Sequence, residues 1–394
     1  MIKSQYDIVV VGGGPAGSSA ARVAAENGAS VALFHRNNEI GVPVRCAEGI
    51  SRFIIEKYIG KENIKESWIA TKADKCRLIS PSGKKVDVHL KASGYVLNRR
   101  VFDMDLAQWA ANEGAQVFTS AYVYNVEKFD DYSLIHVEQY GKQYKVKAKL
   151  VIAADGVESK IARYFGIDTQ LKLGDIDSCA QVLATNIDMK SDRFDFWVSE
   201  DIAPGGYIWL FPKGENIANI GIGISGKYNG QKTAKQYLDE FLSKNFPEAS
   251  ILTNVLGGVP ISETLESFVA DGLMIVGDAA RVANPVTGEG IGPALSTGTR
   301  AGKFAAKAIK ENDTSAKFLK AYEKEWRKDS GRFHSFFYRM KDVVYNTSNS
   351  DLEKLADSFA GRDADTLTLT EVFKKVARNK PKLFLDVAKA FAGF

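Results

Sequence analysis

The run Gly12-Gly13-Gly14-Pro15-Ala16-Gly17 follows directly on an apolar stretch, residues 6–11, and opens onto SSAARVAAENG. A second apolar stretch, residues 29–34, comes after Gly28. Strand, glycine turn, helix and strand in this order make a βαβ unit that receives a dinucleotide. Gly12 permits the tight turn out of the strand, Gly14 lets the backbone approach a pyrophosphate, and Gly17 lets the helix pack close to the sheet. Ala16 lies in the same turn. The phosphates then meet unpaired N–H groups at the positive end of the helix. A carboxylate is expected at the end of the second strand to hold the ribose, yet the chain has His35 there, followed by Arg36. An imidazole offers one hydrogen bond to a ribose where a carboxylate offers two; a solvated strand-end histidine is the plainer reading.

Composition narrows the class. The 394 residues exceed one small domain, and 45% apolar with 25% charged residues is ordinary globular usage. No apolar run approaches the ~18 residues of a membrane span. The chain enters its first strand at once, which reads as lacking a signal peptide. A net charge of +4 with interspersed signs excludes a nucleic-acid patch. Cys46, Cys76 and Cys179 form no CxxC pair, and four scattered histidines have no metal-ligand spacing. This usage suits a reducing, cytoplasmic setting.

A second block identifies the dinucleotide. Residues 273–276 run as a strand into Gly277-Asp278-Ala279-Ala280; then come Gly288-Glu289-Gly290-Ile291 and a helix of small residues. Asp278 is placed to accept from a ribityl hydroxyl. The N–H groups around Gly290 and Ile291 are placed to stabilise negative charge on a reduced flavin. A third piece is the strand at 150–154 ending in Asp155-Gly156, with Ser159 beyond.

In this order the three pieces resemble FAD-binding proteins of the para-hydroxybenzoate hydroxylase fold. That resemblance implies an α/β chain (α+β overall): a Rossmann-type FAD-binding domain, an inserted, mostly antiparallel substrate sheet and a helical C-terminal region. The FAD domain is expected at about 1–70, 95–165 and 270–310, the substrate domain at about 71–94 and 166–269, and the helical region at about 311–394. No second glycine fingerprint provides for a resident NAD(P)H.

Further segments narrow the resemblance. They are Pro43-Val44-Arg45-Cys46-Ala47-Glu48-Gly49, Gly94-Tyr95-Val96-Leu97-Asn98-Arg99, and Tyr207-Ile208-Trp209-Leu210-Phe211-Pro212 followed by Gly221-Ile222-Gly223. Together they resemble the archaeal geranylgeranyl reductase family, notably its digeranylgeranylglycerophospholipid reductases, over about three-quarters of the chain. By alternation Tyr207, Trp209 and Phe211 share one strand face, and Gly221 and Gly223 are expected to leave space above the return strand. An aromatic wall facing a glycine gap suits an extended apolar chain; an ordinary aromatic face packed on a helix is the alternative.

The resemblance implies that Cys46, Ala47 and Gly49 lie beside the flavin ring, that Arg99 approaches the cofactor phosphates, and that Val123 gives a backbone contact to adenine. Where related sequences read CGEG, this one has Ala47. Cys46 is a proton donor, a thiolate or a packing group: a nearby arginine lowers its pKa and apolar burial raises it. Beyond about residue 311, Phe318, Leu319, Tyr322 and Trp326 recur at helical spacing, and Phe333, Phe336, Phe337 and Tyr338 add an aromatic cluster. This cluster either closes a lipid cavity, touches a membrane or packs an accessory helix.

The activity implied is FAD-dependent saturation of isoprenoid double bonds on a membrane-lipid precursor. Hydride comes from reduced flavin and a proton from Cys46, Tyr207 or a bound water. The partners implied are an isoprenoid lipid, an electron donor (a reduced ferredoxin-like protein or NAD(P)H) and a peripheral membrane contact. Two rival readings share the FAD motifs: a flavin monooxygenase or epoxidase, and a lipid-binding electron-transfer flavoprotein. A halogenase is disfavoured because no WxWxIP segment occurs.

Overall fold

A computed structural model describes residues 1–228, 230–362 and 366–376. Among these the strands form two eight-stranded sheets. In the first, the strand Gln5–Val11 lies between Lys142–Ala153 and Val31–Phe34, paired in parallel with both. Leu273–Ile275 extends the sheet beyond Lys142–Ala153, and Gln116–Phe118 extends it beyond Val31–Phe34. Residues 8–10, 31–33 and 150–153 are essentially inaccessible, as expected of strands covered on both faces.

The register brings three distant motifs to one edge. Val11 pairs with Ala153, and Ala153 pairs with Ile275. The glycine turn, Ala154–Asp155 and Gly277–Asp278 therefore leave the sheet side by side, at its carboxyl edge, where the strand order reverses. Small residues let two helices stack tightly above. The helix Pro15–Glu26 crosses Ile291–Glu311 so closely that a Cβ on Gly298 would lie 2.2 Å from the Ala16 carbonyl, and one on Gly302 2.5 Å from that of Ala20.

The second sheet runs Ser250–Pro260, Ile176–Thr185, Ile217–Ser225, Tyr207–Pro212, Arg193–Trp197, Ile69–Ile79, Lys85–Leu97, Gly49–Ser51. Its pairings are antiparallel except that of Arg193–Trp197 with Ile69–Ile79. One face is apolar: Ala180, Val182, Ile208, Leu210, Ile220 and Ile222 pack under the helix Ala234–Asn245. That helix begins with a reciprocal Thr233–Gln236 capping box. The opposite face carries the candidate substrate residues. The short strand Gly49–Ser51 links the sheet to the glycine-turn region.

The helix Ala316–Trp326 buries Leu319, Tyr322 and Trp326 in the first sheet's core, where the Tyr322 hydroxyl donates to the Ile275 carbonyl at 2.8 Å. Its aromatic spacing thus serves accessory packing. A π-turn at Arg327–Gly331 leads into Arg332–Tyr345, where Phe336 and Met340 pack on Val286. The chain then returns to the second sheet: the His89 N–H donates to the Leu367 carbonyl at 2.9 Å. Residues 377–394 of the expected helical region lie outside the described residues. No helix among the described residues is long and apolar enough to cross a membrane.

Candidate functional site

The glycines of the first turn divide into two kinds. Gly12 has φ +109°, and a Cβ there would lie 2.1 Å from the Ala154 carbonyl oxygen; one on Gly17 would lie 1.9 Å from the Gly12 oxygen. Both hold the turn against the sheet. Gly14 faces open space, with nothing among the described residues within 4 Å of its Cβ position. This is a cradle that a side chain would fill and a phosphate can enter.

His35 stands beside the turn. Its Nδ1 accepts from the Gly13 N–H at 3.2 Å, so a neutral ring carries its proton on Nε2. Nε2 is buried and has no hydrogen-bond partner among the described residues. Burial also lowers the ring's pKa, which favours this neutral form. The result is a buried donor that a ribose hydroxyl would satisfy. Arg36 turns away to Glu158, 2.7 Å distant. Val123 is buried on the strand Ala121–Lys128, whose first N–H donates to the His35 carbonyl at 2.9 Å, so it stands two residues from the strand end.

Across the edge, Asp278 is half-buried, and desolvation pushes its carboxyl up to about 6 against the opposing charge of Arg99. A Cβ on Gly290 would meet Asp278 Oδ1 at 3.3 Å. Glu289 takes the Gly292 N–H at 2.8 Å, leaving those of Gly290 and Ile291 for a ligand at the start of the long helix. FAD fits this set: an open glycine cradle, an orphaned imidazole donor, a half-buried carboxylate suited to a ribityl hydroxyl and a helix N-terminus.

The loop carrying Cys46 is pinned from the second sheet. Gln181 Nε2 donates to the Cys46 carbonyl at 3.0 Å, while its Oε1 accepts from Trp209 Nε1 at 3.2 Å. Asn219 donates to the Ala47 carbonyl at 3.3 Å. Glu48, buried at φ +72°, accepts from the Arg99 N–H at 2.7 Å, Lys213 Nζ at 2.8 Å and Asn219 Nδ2 at 2.6 Å. The Arg99 guanidinium forks onto Asp103 at 2.7 and 2.6 Å, and its charge acts on both Cys46 and Asp278. Burial pushes the Cys46 thiol up despite Arg99 and the Glu48 N–H at 3.2 Å. Of the three readings of Cys46, the thiolate is therefore the disfavoured one. Arg45, next in sequence, instead reaches the Leu256 carbonyl at 3.0 Å.

Tyr207, Trp209 and Phe211 do share a face, extended by Phe194 and Phe196. Ring centroids lie 5.9 Å apart for Tyr207–Trp209, 5.7 Å for Tyr207–Phe196 and 5.5 Å for Phe211–Phe196. The space expected above Gly221 is not open: its Cβ position lies 2.3 Å from the Trp209 ring, which lies flat over the glycine backbone. Gly223 is less crowded: the nearest atoms to its Cβ position, Cys179 Sγ at 3.6 Å and Asp177 Oδ2 at 3.7 Å, lie at ordinary van der Waals distance. Likewise Gly49 exists for Phe211, 2.6 Å from its Cβ position. The Tyr207 hydroxyl donates to the Thr287 carbonyl, joining the aromatic wall to the loop before Gly288–Ile291.

Sequence reasoning missed Glu48 as a hub, along with Lys213, Gln181, Asn219 and Asp177. The signal for two of them was present: Asp177 and Gln181, with Cys179 between, alternate with Ala180 and Val182, a polar face opposite an apolar one.

Comparison with known proteins now decides the family. The description "Geranylgeranyl reductase catalytic domain" matches residues 175–259, and "FAD dependent oxidoreductase" matches residues 7–181. Digeranylgeranylglycerophospholipid reductase of Methanosarcina acetivorans is 41% identical over 99% of this chain and 97% of its own length. The chain belongs to the digeranylgeranylglycerophospholipid reductase family. The reductase of that name from Methanocella arvoryzae is 40% identical over 98% of this chain and 99% of its own length. Among solved structures, a geranylgeranyl bacteriochlorophyll reductase-like protein from Thermoplasma acidophilum superposes with a TM-score of 0.90 at 34% identity, covering 98% of this chain and all of that one. The p-nitrophenol 4-monooxygenase of Pseudomonas putida, at a TM-score of 0.73 and 15% identity over 97% of this chain and 99% of its own, shares the fold alone. For this family member the mixed α/β FAD-dependent oxidoreductase architecture and FAD itself are thus established.

Proposed function

We propose that this chain saturates the double bonds of geranylgeranyl chains on a membrane-lipid precursor. One observation carries the reading: the aromatic face of the second sheet is tied to the cofactor edge at both ends. Tyr207 reaches the Thr287 carbonyl, and Trp209 reaches the Cys46 loop through Gln181.

When bound and reduced, FAD supplies the hydride. An isolated trisubstituted alkene is a poor hydride acceptor, so protonation must lead or accompany transfer, building positive charge at a tertiary carbon. The π-faces of Tyr207, Trp209 and Phe196 would stabilise such a charge. Packing of Phe211 on Gly49 and of Trp209 on Gly221 excludes water that would trap it. Gly14 and Ala16 hold the pyrophosphate in the turn that Gly12 and Gly17 shape, His35 holds the ribose, Asp278 the ribityl chain, and Gly290 and Ile291 the flavin's anionic edge. Electrons reach the cofactor from a reduced ferredoxin-like protein or NAD(P)H, and substrate is drawn from a membrane surface.

The test is anaerobic. Purified protein with chemically reduced FAD and a geranylgeranyl lipid should give product whose mass rises by pairs of hydrogens. Unchanged prenyl chains, with NAD(P)H and oxygen consumed together in air, would make it a monooxygenase instead.

A further inference from the structure

Alkene reduction needs an acid, and the two groups suggested by sequence are poor ones. Burial raises the pKa of both the Cys46 thiol and the Tyr207 phenol, and the Tyr207 proton is already given to the Thr287 carbonyl. A third group lies on the same face. Asp177 heads the strand Ile176–Thr185, two residues before Cys179, and is 5% exposed. Its Oδ2 accepts from the Tyr345 hydroxyl at 3.2 Å; its Oδ1 is buried with no hydrogen-bond partner among the described residues. An unpartnered oxygen at this depth is costly, and a bound group or a proton relieves the cost.

Its position matches the chemistry. Asp177 Oδ2 and Cys179 Sγ lie against the side of Gly223, which pairs with Tyr207. The strand partner of Asp177 is Val259, and both Val259 and the Tyr207 hydroxyl lie 3.7 Å from the Cβ position of Gly288, at the flavin-binding turn. The carboxyl therefore stands beside Gly223, between the aromatic wall and the turn at Gly288.

We propose that Asp177 is the acid that protonates the alkene carbon opposite the one receiving hydride. This rests on the reductase reading above. The Asp177 O–H bond breaks as a C–H bond forms, the π electrons supplying the pair. Hydride from the reduced cofactor completes the second C–H bond, and the cofactor is oxidised by two electrons. The carboxylate left behind, held by Tyr345, regains its proton from water. Desolvation supports this role by pushing Asp177 up to about 7, near the operating pH of an efficient general acid. The groups that face it are Tyr345 and Lys341 from the helix Arg332–Tyr345, Cys179 on its own strand and Tyr207 from the strand Tyr207–Pro212, beyond Ile217–Ser225. Lys341 and the Tyr345 hydrogen bond both favour the ionised form, and burial outweighs them.

The test combines single turnover with infrared spectroscopy of the FAD-loaded protein. Asp177→Asn should bind FAD and accept electrons into it as the wild type does, yet saturate geranylgeranyl lipid at least ~100-fold more slowly. The wild type should show a protonated-carboxyl band that titrates away as pH rises through about 7 and is missing from Asp177→Asn. Tyr345→Phe removes a bond that favours the carboxylate, so it should shift the alkaline limb of the saturation rate to higher pH; this variant decides the matter if Asp177→Asn does not fold. Wild-type saturation by Asp177→Asn, absence of the band, or an unmoved limb in Tyr345→Phe would overturn the proposal. If the wild type itself saturates nothing, the reductase reading fails, and the infrared band still decides whether Asp177 holds a proton.

Discussion

Glu48 and Lys213 stand 165 residues apart in sequence and meet at 2.8 Å, with side chains 5% and 13% exposed. Glu48 belongs to the loop beside the flavin turn and Lys213 to the end of the aromatic strand, so this pair joins the cofactor edge to the substrate sheet. Lys213 also donates to the Leu97 carbonyl. Removing one member of such a pair leaves the other charge buried. Lys213→Met should therefore lower the stability of the protein by about 2–4 kcal/mol, read from urea unfolding. A loss below about 0.5 kcal/mol would show that the pair does not hold the Glu48 loop to the aromatic strand.

The two kinds of glycine in the first turn separate cofactor binding from folding. Gly14 has φ −77° and open space before it, so Gly14→Ala should cost the apoprotein less than about 1 kcal/mol and weaken FAD binding at least ~10-fold. Gly17→Ala drives a methyl into the Gly12 carbonyl and should impair folding itself. Flavin fluorescence titration alongside thermal unfolding distinguishes them; equal behaviour of the two variants would contradict the cradle.

The aromatic face makes a similar contrast. Gly221→Ala must displace the Trp209 indole and with it the Gln181 link to Cys46, costing about 1–3 kcal/mol. At Gly223 a methyl meets only ordinary contacts. Gly223→Ala should keep its stability within about 0.5 kcal/mol and raise KM for the lipid by adding a methyl beside Tyr207 and Asp177. An unchanged KM would place the lipid elsewhere.

Stability should also carry the signature of Asp177. Its pKa is about 7 in the fold against an ordinary 3.8, so the fold binds the proton more tightly than the unfolded chain. That contribution is complete below the unfolded value and is lost as pH rises through about 7. Relative to Asp177→Asn, the wild type should lose on the order of a few kcal/mol between about pH 4 and pH 8, measured by urea unfolding of both. Parallel pH curves would remove the buried proton.

Much of this was legible in the sequence because it is local. The turn at Gly12–Gly17, the turn at Gly277–Asp278 and the alternation of Tyr207, Trp209 and Phe211 each follow from backbone geometry over a few residues. What was not legible depends on register between distant strands. Nothing near Gly221 announces that Trp209 will lie on it, and the partners of Glu48 come from residues 99, 213 and 219. The C-terminal aromatics show the same limit: helical spacing revealed the amphipathic stripe of Leu319, Tyr322 and Trp326, while only packing shows that it covers the first sheet.

The most direct measurement of the whole account follows flavin absorbance in the absence of oxygen, with the lipid product weighed in the same sample. Mixing reduced holoprotein with geranylgeranyl lipid should reoxidise the flavin and remove one double bond for each flavin oxidised. Flavin that stays reduced until oxygen is admitted, with every prenyl double bond intact, would contradict it.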